Sequence, residues 1–252
     1  MKTEQKRTWF TGAHIKWIAI VLMAIDHAAA ALLEPVLSHA TVTFENYEML
    51  LNLNRIYMIL RCIGRFSFPA FCFLLVEGFC HTSSRTKYLR NLLIFSLVSE
   101  IPFDLALYDE VWHGGHQNVF FTLAAGFGAI WLSEYFSLKA MKESMGGMPY
   151  RLLSVASVVG IAIFAEITHT DYGAAGVATI YVLYALRGKP IISAITAWMV
   201  LGLTNVLEFF CFPFIGAVYF YNGERGRQNK YFFYVFYPLH LLILMMIKFI
   251  IL

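Results

Sequence analysis

The chain has 252 residues, 59% of them hydrophobic and only 14% charged, with a formal net charge of +3 and a mean hydropathy of +0.64. A soluble domain of this length could not bury so much apolar surface, and scattered basic residues without a base-reading motif exclude a nucleic-acid binder. These bounds leave one all-α domain over 1–252, a polytopic bundle of transmembrane helices in a lipid bilayer. Cys62, Cys72, Cys80 and Cys211 lie in or beside apolar segments without CxxC spacing, so they read as small core residues rather than disulfide or zinc ligands.

In chain order, the apolar runs predict helices at 15–34, 55–80, 88–108, 118–137, 150–167, 173–187, 190–204, 207–222 and 231–251. Charges precede a long first run with no clean cleavage site, which predicts a retained first helix rather than a signal peptide. The run from Ile191 to Phe220 is long for one helix and short for two, and Thr204, Asn205 and Glu208 mark the split. Loop charge agrees, because cytoplasmic loops are enriched in Lys and Arg. All 19 basic residues except Arg55, Arg61, Arg65 and Lys248 fall in alternate connections or at the N-terminus. The other connections carry Glu34, Glu45, Glu48, Asp109, Glu110, Glu166, Asp171 and Glu208. The pattern predicts about nine spans of a cell's inner membrane, a cytoplasmic N-terminus and an external C-terminus. The loop 138–149, with Gly146, Gly147 and Pro149, reads as a flexible cytoplasmic connection.

Ionisable residues at membrane depth are costly, at least ~2.5 kcal/mol each at a helix centre, and are therefore functional candidates. Asp26 and His27 sit inside the first helix, followed by four alanines that permit close helix approach. Adjacent helix positions diverge by about 100°, so each needs its own partner. Arg61 and Arg65 share a face of the second helix, and Pro69 should kink the helix below them. Two inward guanidiniums need carboxylates, and Asp26, Glu100 and Asp104 are the internal ones. They fit equally a pair of structural salt bridges or one bridge plus an arginine left for an anionic or carbonyl group. His113 to Asn118, HGGHQN, and His169 to Asp171, HTD, form polar turns. Gln117 and Asn118 can cap the following helix or bond a carbonyl. His169 and Asp171 read either as ligands or as ordinary loop residues. Tyr237 and His240 flank Pro238 in the last helix, where His240 is a candidate proton acceptor or hydrogen-bonding group. No metal site is predicted: HExxH is absent, and His113 and His116 lack a completing carboxylate set. Walker and Rossmann glycine patterns are missing as well.

The blocks LMAIDH (22–27), RCIGRFSFPAFCFLLVEGF (61–79), SEIPFDLAL (99–107), QNVFFTLAAG (117–126), HTDYGAAGV (169–177) and YPLH (237–240) run in order over nearly the whole chain. Together they closely resemble the TraX family. That resemblance implies a link to N-terminal acetylation of conjugative pilin and a relation to the broader transmembrane acyltransferases. Such enzymes take acyl-CoA from the cytoplasm and carry a buried catalytic histidine, a role the resemblance carries to His27. It implies acetyl-CoA as co-substrate, a peptide or glycan as acceptor, and a cavity reaching His27 from the cytoplasm.

Thioester aminolysis needs a base near neutrality, which histidine supplies. His27 is the expected base, with Asp26 or Asp104 setting its tautomer and Arg65 or Asn118 stabilising the developing oxyanion. Arg61, Glu100, Gln117, His169, Asp171, Tyr237 and His240 are expected to bind substrate or co-substrate. The basic loops with Arg85, Lys87, Arg225 and Arg227 are expected to attract coenzyme A phosphates. A proton-coupled transporter and a non-enzymatic assembly factor for surface structures are the competing readings; the absence of matched broken helices counts against the first.

Overall fold

A computed structural model describes residues 9–143, 147–227 and 230–251. Among these there is no β-strand, and the only bridges are isolated ones, Phe10 with Tyr221 and Gln117 with Thr170. The helices are α1 (Gly12–Ala28), α2 (Glu34–His39), α3 (Tyr47–Gly64), α4 (Ser67–His81), α5 (Arg85–Leu107), α6 (Val119–Lys142), α7 (Gly147–Ile167), α8 (Gly173–Ala185), α9 (Pro190–Gly202), α10 (Pro213–Tyr219) and α11 (Lys230–Ile251). A 3-10 stretch, Val206–Cys211, precedes α10. The protein is an all-α helical bundle, and each of the nine predicted stretches is helical. By length and composition, five described spans can cross a bilayer: Gly12–His39, Tyr47–His81, Val119–Lys142, Gly147–Ile167 and Phe232–Ile251. Gly173–Ala185, Pro190–Gly202 and Val206–Tyr219 are apolar but shorter than the ~20 residues a straight crossing needs.

Local sequence explains the boundaries. Thr11 caps α1 by accepting a hydrogen bond from His14 N, while His14 Nδ1 accepts from Thr11 N, which starts the helix earlier than predicted. A π-helical turn, Ala29–Leu33, follows α1 and joins it to α2. Such an inserted turn is a frequent companion of functional sites. The predicted second helix is two, broken at Arg65–Phe66. Pro69 cannot donate to the Arg65 carbonyl four residues back, and its ring crowds that carbonyl, so the break falls upstream of the proline rather than below it. The break predicted around Thr204 and Asn205 is present, with Asn205 capping the 3-10 stretch. Helix α6 runs on to Lys142 and α7 begins at Gly147, so the predicted 138–149 connection is mostly helical. Its Gly146 lies outside the described residues.

The outside of the bundle is apolar. On α7, Leu152, Val155, Val159, Ile163 and Phe164 are exposed at helical spacing, a face suited to lipid and unsuited to water. Inside, α1, α4, α6, α8, α9 and α10 share one core containing Ile15, Phe79, Phe127, Ile180, Leu201 and Phe214. Apolar burial gives no drive between helices in lipid, so close packing and interhelical hydrogen bonds must hold the bundle. Ser133 and Ser154 bond at 2.9 Å between α6 and α7. Gly176 of α8 lets Thr122 of α6 and Phe68 of α4 approach so closely that a Cβ there would meet Thr122 Cγ2 at 2.4 Å. The bundle has two chemically distinct ends. Arg85, Lys87 and Arg225 mark a basic end, where Arg85 pairs with Glu134. Glu34, Asp109 and Asp171 mark an acidic end, where Lys248 of α11 is buried and bonds Asp109 at 2.6 Å.

Candidate functional site

Two cavities enter the bundle from opposite ends. The basic-end cavity, about 550 Å³, is lined by Lys16, His81, Lys87 and Arg225 near its mouth and by Phe120 and Tyr237 farther in. The acidic-end cavity, about 560 Å³, is lined by Asp26, His27, Arg61, Arg65, Asp171 and Tyr172. Met23, Phe71 and Val119 line both, so the cavities abut at a thin partition. His27 faces one cavity and Tyr237 the other, with ring centroids 5.8 Å apart.

Helix α1 delivers Asp26 and His27 in different directions, as adjacent positions must. Asp26 meets α3 and its end: Oδ2 accepts from Arg61 Nη1 and Oδ1 from Arg65 Nη2, both at 2.6 Å. This approach needs Gly64, where a Cβ would lie 2.3 Å from Asp26 Cβ. Arg65 is the more heavily engaged of the two. Its Nη1 also donates to Glu208 Oε1 at 2.9 Å and Tyr172 Oη at 3.2 Å, and its Nε to the Arg61 carbonyl at 3.1 Å. Among the described residues the Arg61 guanidinium bonds Asp26 alone, and 23% of its side chain is exposed beside the cavity. Of the two readings of the arginine pair, the geometry thus combines both: Arg65 is structural and Arg61 retains open donors.

His27 meets α11 instead. Its Nδ1 lies 2.7 Å from His240 Nε2, and His240 Nδ1 lies 2.9 Å from the Phe236 carbonyl. A carbonyl only accepts, so a neutral His240 carries its proton on Nδ1 and accepts at Nε2. His27 then donates from Nδ1, which leaves His27 Nε2 as the unprotonated nitrogen. The partner that sets the tautomer is therefore His240, not Asp26 or Asp104. Asp26 is held by the arginines, and Asp104 accepts from His113 N at 2.9 Å.

The remaining predicted residues divide between frame and rim. Asn118 caps α6 through Phe120 N, and its Nδ2 donates to the Ser96 carbonyl and to Glu100 Oε2. Glu100 also accepts from Asn118 N. Asn118, Glu100 and Asp104 line neither cavity, and both Nδ2 N–H groups of Asn118 are taken, so Asn118 has no amide donor left for an oxyanion. The two polar turns come together: Gln117 N bonds the His169 carbonyl at 3.0 Å, Asp171 N bonds the Gln117 carbonyl at 2.9 Å, and Thr122 Oγ1 donates to the Asp171 carbonyl. His169 adopts φ 53°, is exposed and lines neither cavity. His116 Nε2 lies 3.5 Å from Asp171 Oδ1, and that contact raises its proton affinity above the ordinary histidine value, partly opposed by burial. Tyr172, not singled out by the sequence, stacks on Phe68 at 3.6 Å. Glu208 was read as a loop acid, yet it is the second carboxylate for Arg65. Its position in a long apolar stretch, VLEFF, is the signal that could have found it. Among the described residues no cluster of His, Cys, Asp and Glu could hold a metal ion.

Known proteins resemble this chain along nearly its whole length. The Probable fimbrial assembly protein FimC, serogroup H1, of Dichelobacter nodosus is 27% identical over 264 residues, covering 93% of this chain and 94% of that protein. No solved structure matches. The family described as TraX protein matches residues 11–248. That match runs from the Thr11 cap of α1 into the last turn of α11 and takes in both cavities and the histidine pair between them, and the chain belongs to the TraX family.

Proposed function

We propose that this membrane protein is an acetyltransferase that carries an acetyl group from acetyl-CoA in the basic-end cavity to an amine in the acidic-end cavity. The observation that carries this reading is His27, held at the partition with Nε2 unprotonated by its bond to His240. The basic-end cavity suits the co-substrate: its mouth carries Lys16, Lys87 and Arg225 for phosphates, and its inner wall is apolar and aromatic for the pantetheine arm. The acidic-end cavity suits an amine whose neighbouring carbonyl or carboxylate meets the open donors of Arg61.

In the proposed reaction the acceptor nitrogen attacks the thioester carbonyl carbon. A C–N bond forms and the carbonyl oxygen takes the negative charge. His27 Nε2 accepts the proton released by nitrogen, and the resulting imidazolium is stabilised through Nδ1–H by His240. Collapse of the tetrahedral intermediate breaks the C–S bond, and the proton passes from His27 to the leaving thiolate, giving amide and free coenzyme A. Membership of the TraX family and the similarity to a fimbrial assembly protein support a pilus-related role; the acceptor in this reading is a pilin or other peptide N-terminus, and the location the bacterial inner membrane. The loop-charge pattern supports the basic end as cytoplasmic.

Purified protein should release thiol from acetyl-CoA only when an amine from a panel of peptides and amino sugars is present. His27→Ala should abolish that release. Two cavities meeting at a titratable residue would also suit a proton-coupled transporter. Solute flux in vesicles without coenzyme A release would favour that reading and sink the transferase.

A further inference from the structure

We infer that Tyr237 is the donor that holds the thioester oxygen as it becomes an oxyanion. This inference rests on the acetyltransferase reading and deepens it. Tyr237 is 3% exposed, and its hydroxyl has no hydrogen-bond partner among the described residues. A buried hydroxyl without a partner is unfavourable to the fold, so its presence calls for a partner that arrives later.

Its position identifies that partner. The ring packs edge-on against His27 at 5.8 Å, His240 at 5.5 Å and Phe120 at 5.0 Å, and the residue lines the basic-end cavity against the shared partition. A hydroxyl with its donor unused thus lies beside the proposed base, on a residue that lines the cavity where a thioester would arrive. The other donors are excluded by their bonds or their place: the Asn118 amide is occupied, and Arg61 and Arg65 line the acceptor-side cavity.

In the reaction, attack by the acceptor nitrogen moves the carbonyl π electrons onto oxygen. The Tyr237 O–H hydrogen-bonds that oxygen without transferring a proton, and the bond weakens again as the C–S bond breaks. Removing one such donor lowers turnover by about 10²- to 10³-fold in comparable sites.

The test is Tyr237→Phe in full-length protein beside wild type, with amine-dependent thiol release and thermal unfolding measured on both. The expected result is a turnover loss of about 10²-fold or more, a KM for acetyl-CoA within about twofold of wild type, and an unfolding midpoint unchanged or higher. A second readout uses carbonyl-labelled acetyl-CoA bound to His27→Asn, in which the thioester should survive. Its carbonyl stretch should lie at lower frequency than in water, and adding Tyr237→Phe should reverse most of that shift. Retained turnover in Tyr237→Phe, or an earlier unfolding, overturns the Tyr237 assignment while an active wild type keeps the His27 reading. A wild type that releases no thiol overturns both.

Discussion

At the level of single side chains, the histidine pair makes the sharpest demand. His240 touches His27 rather than the cavities, so in the proposed reaction its role is that of a positioning residue. Replacing it by Ala should leave His27 free to adopt the other tautomer and lower turnover by about 10²- to 10⁴-fold, comparable to tautomer-setting carboxylates elsewhere. His240→Gln should recover part of the loss, because an amide oxygen can still accept from His27 Nδ1. Turnover measured on both variants checks this, and equal rates for Ala and Gln would remove the tautomer argument. The sequence made His27 and His240 visible because each is a polar residue in an apolar run. It could not show that they meet, since 213 positions separate them. Of the two carboxylates expected to orient His27, Asp26 is adjacent in sequence, and adjacency in a helix is what keeps it from sharing that direction, while Asp104 is held by His113 N.

Among the elements, α1 and α3 are set by one close contact. Asp26 reaches two guanidiniums because Gly64 offers no side chain in its way. A methyl group there must displace Asp26 or push the helices apart. Gly64→Ala should destabilise the protein by roughly 1–3 kcal/mol, as overpacking commonly does, and thermal unfolding in detergent measures it. An unchanged midpoint would show that α1 and α3 can separate without loss. Helix existence was legible from apolar runs, and the break near Thr204 from polar residues within one. The division of 47–81 was misplaced because a proline acts on the carbonyl four residues before it. The placement of α6 and α7 was shortened because Lys139 and Lys142 read as loop residues, although charged side chains at a helix end can remain helical and reach outward.

For the whole molecule, the all-α bundle and its polarity were written in composition and loop charge, whereas the two cavities were not. A cavity is what packing leaves empty, and no residue pattern encodes it directly. The sequence did place the chemistry at one depth: Asp26, Arg61, Arg65 and His240 are all interruptions of apolar helices. Glu208 and Tyr172 completed the cluster from segments that looked like ordinary connections.

The thin partition also has an electrical side. With water standing in both cavities, a membrane voltage would not fall evenly across the bundle but would concentrate over the layer of Met23, Phe71 and Val119. A full charge crossing that layer would sense close to ~2.3 kcal/mol per 100 mV. In the proposed reaction the acetyl group is neutral and crosses freely of this field, whereas a proton taken from the acceptor by His27 and released with coenzyme A does not. Turnover in sealed vesicles should therefore change with imposed potential, and in detergent that dependence should vanish.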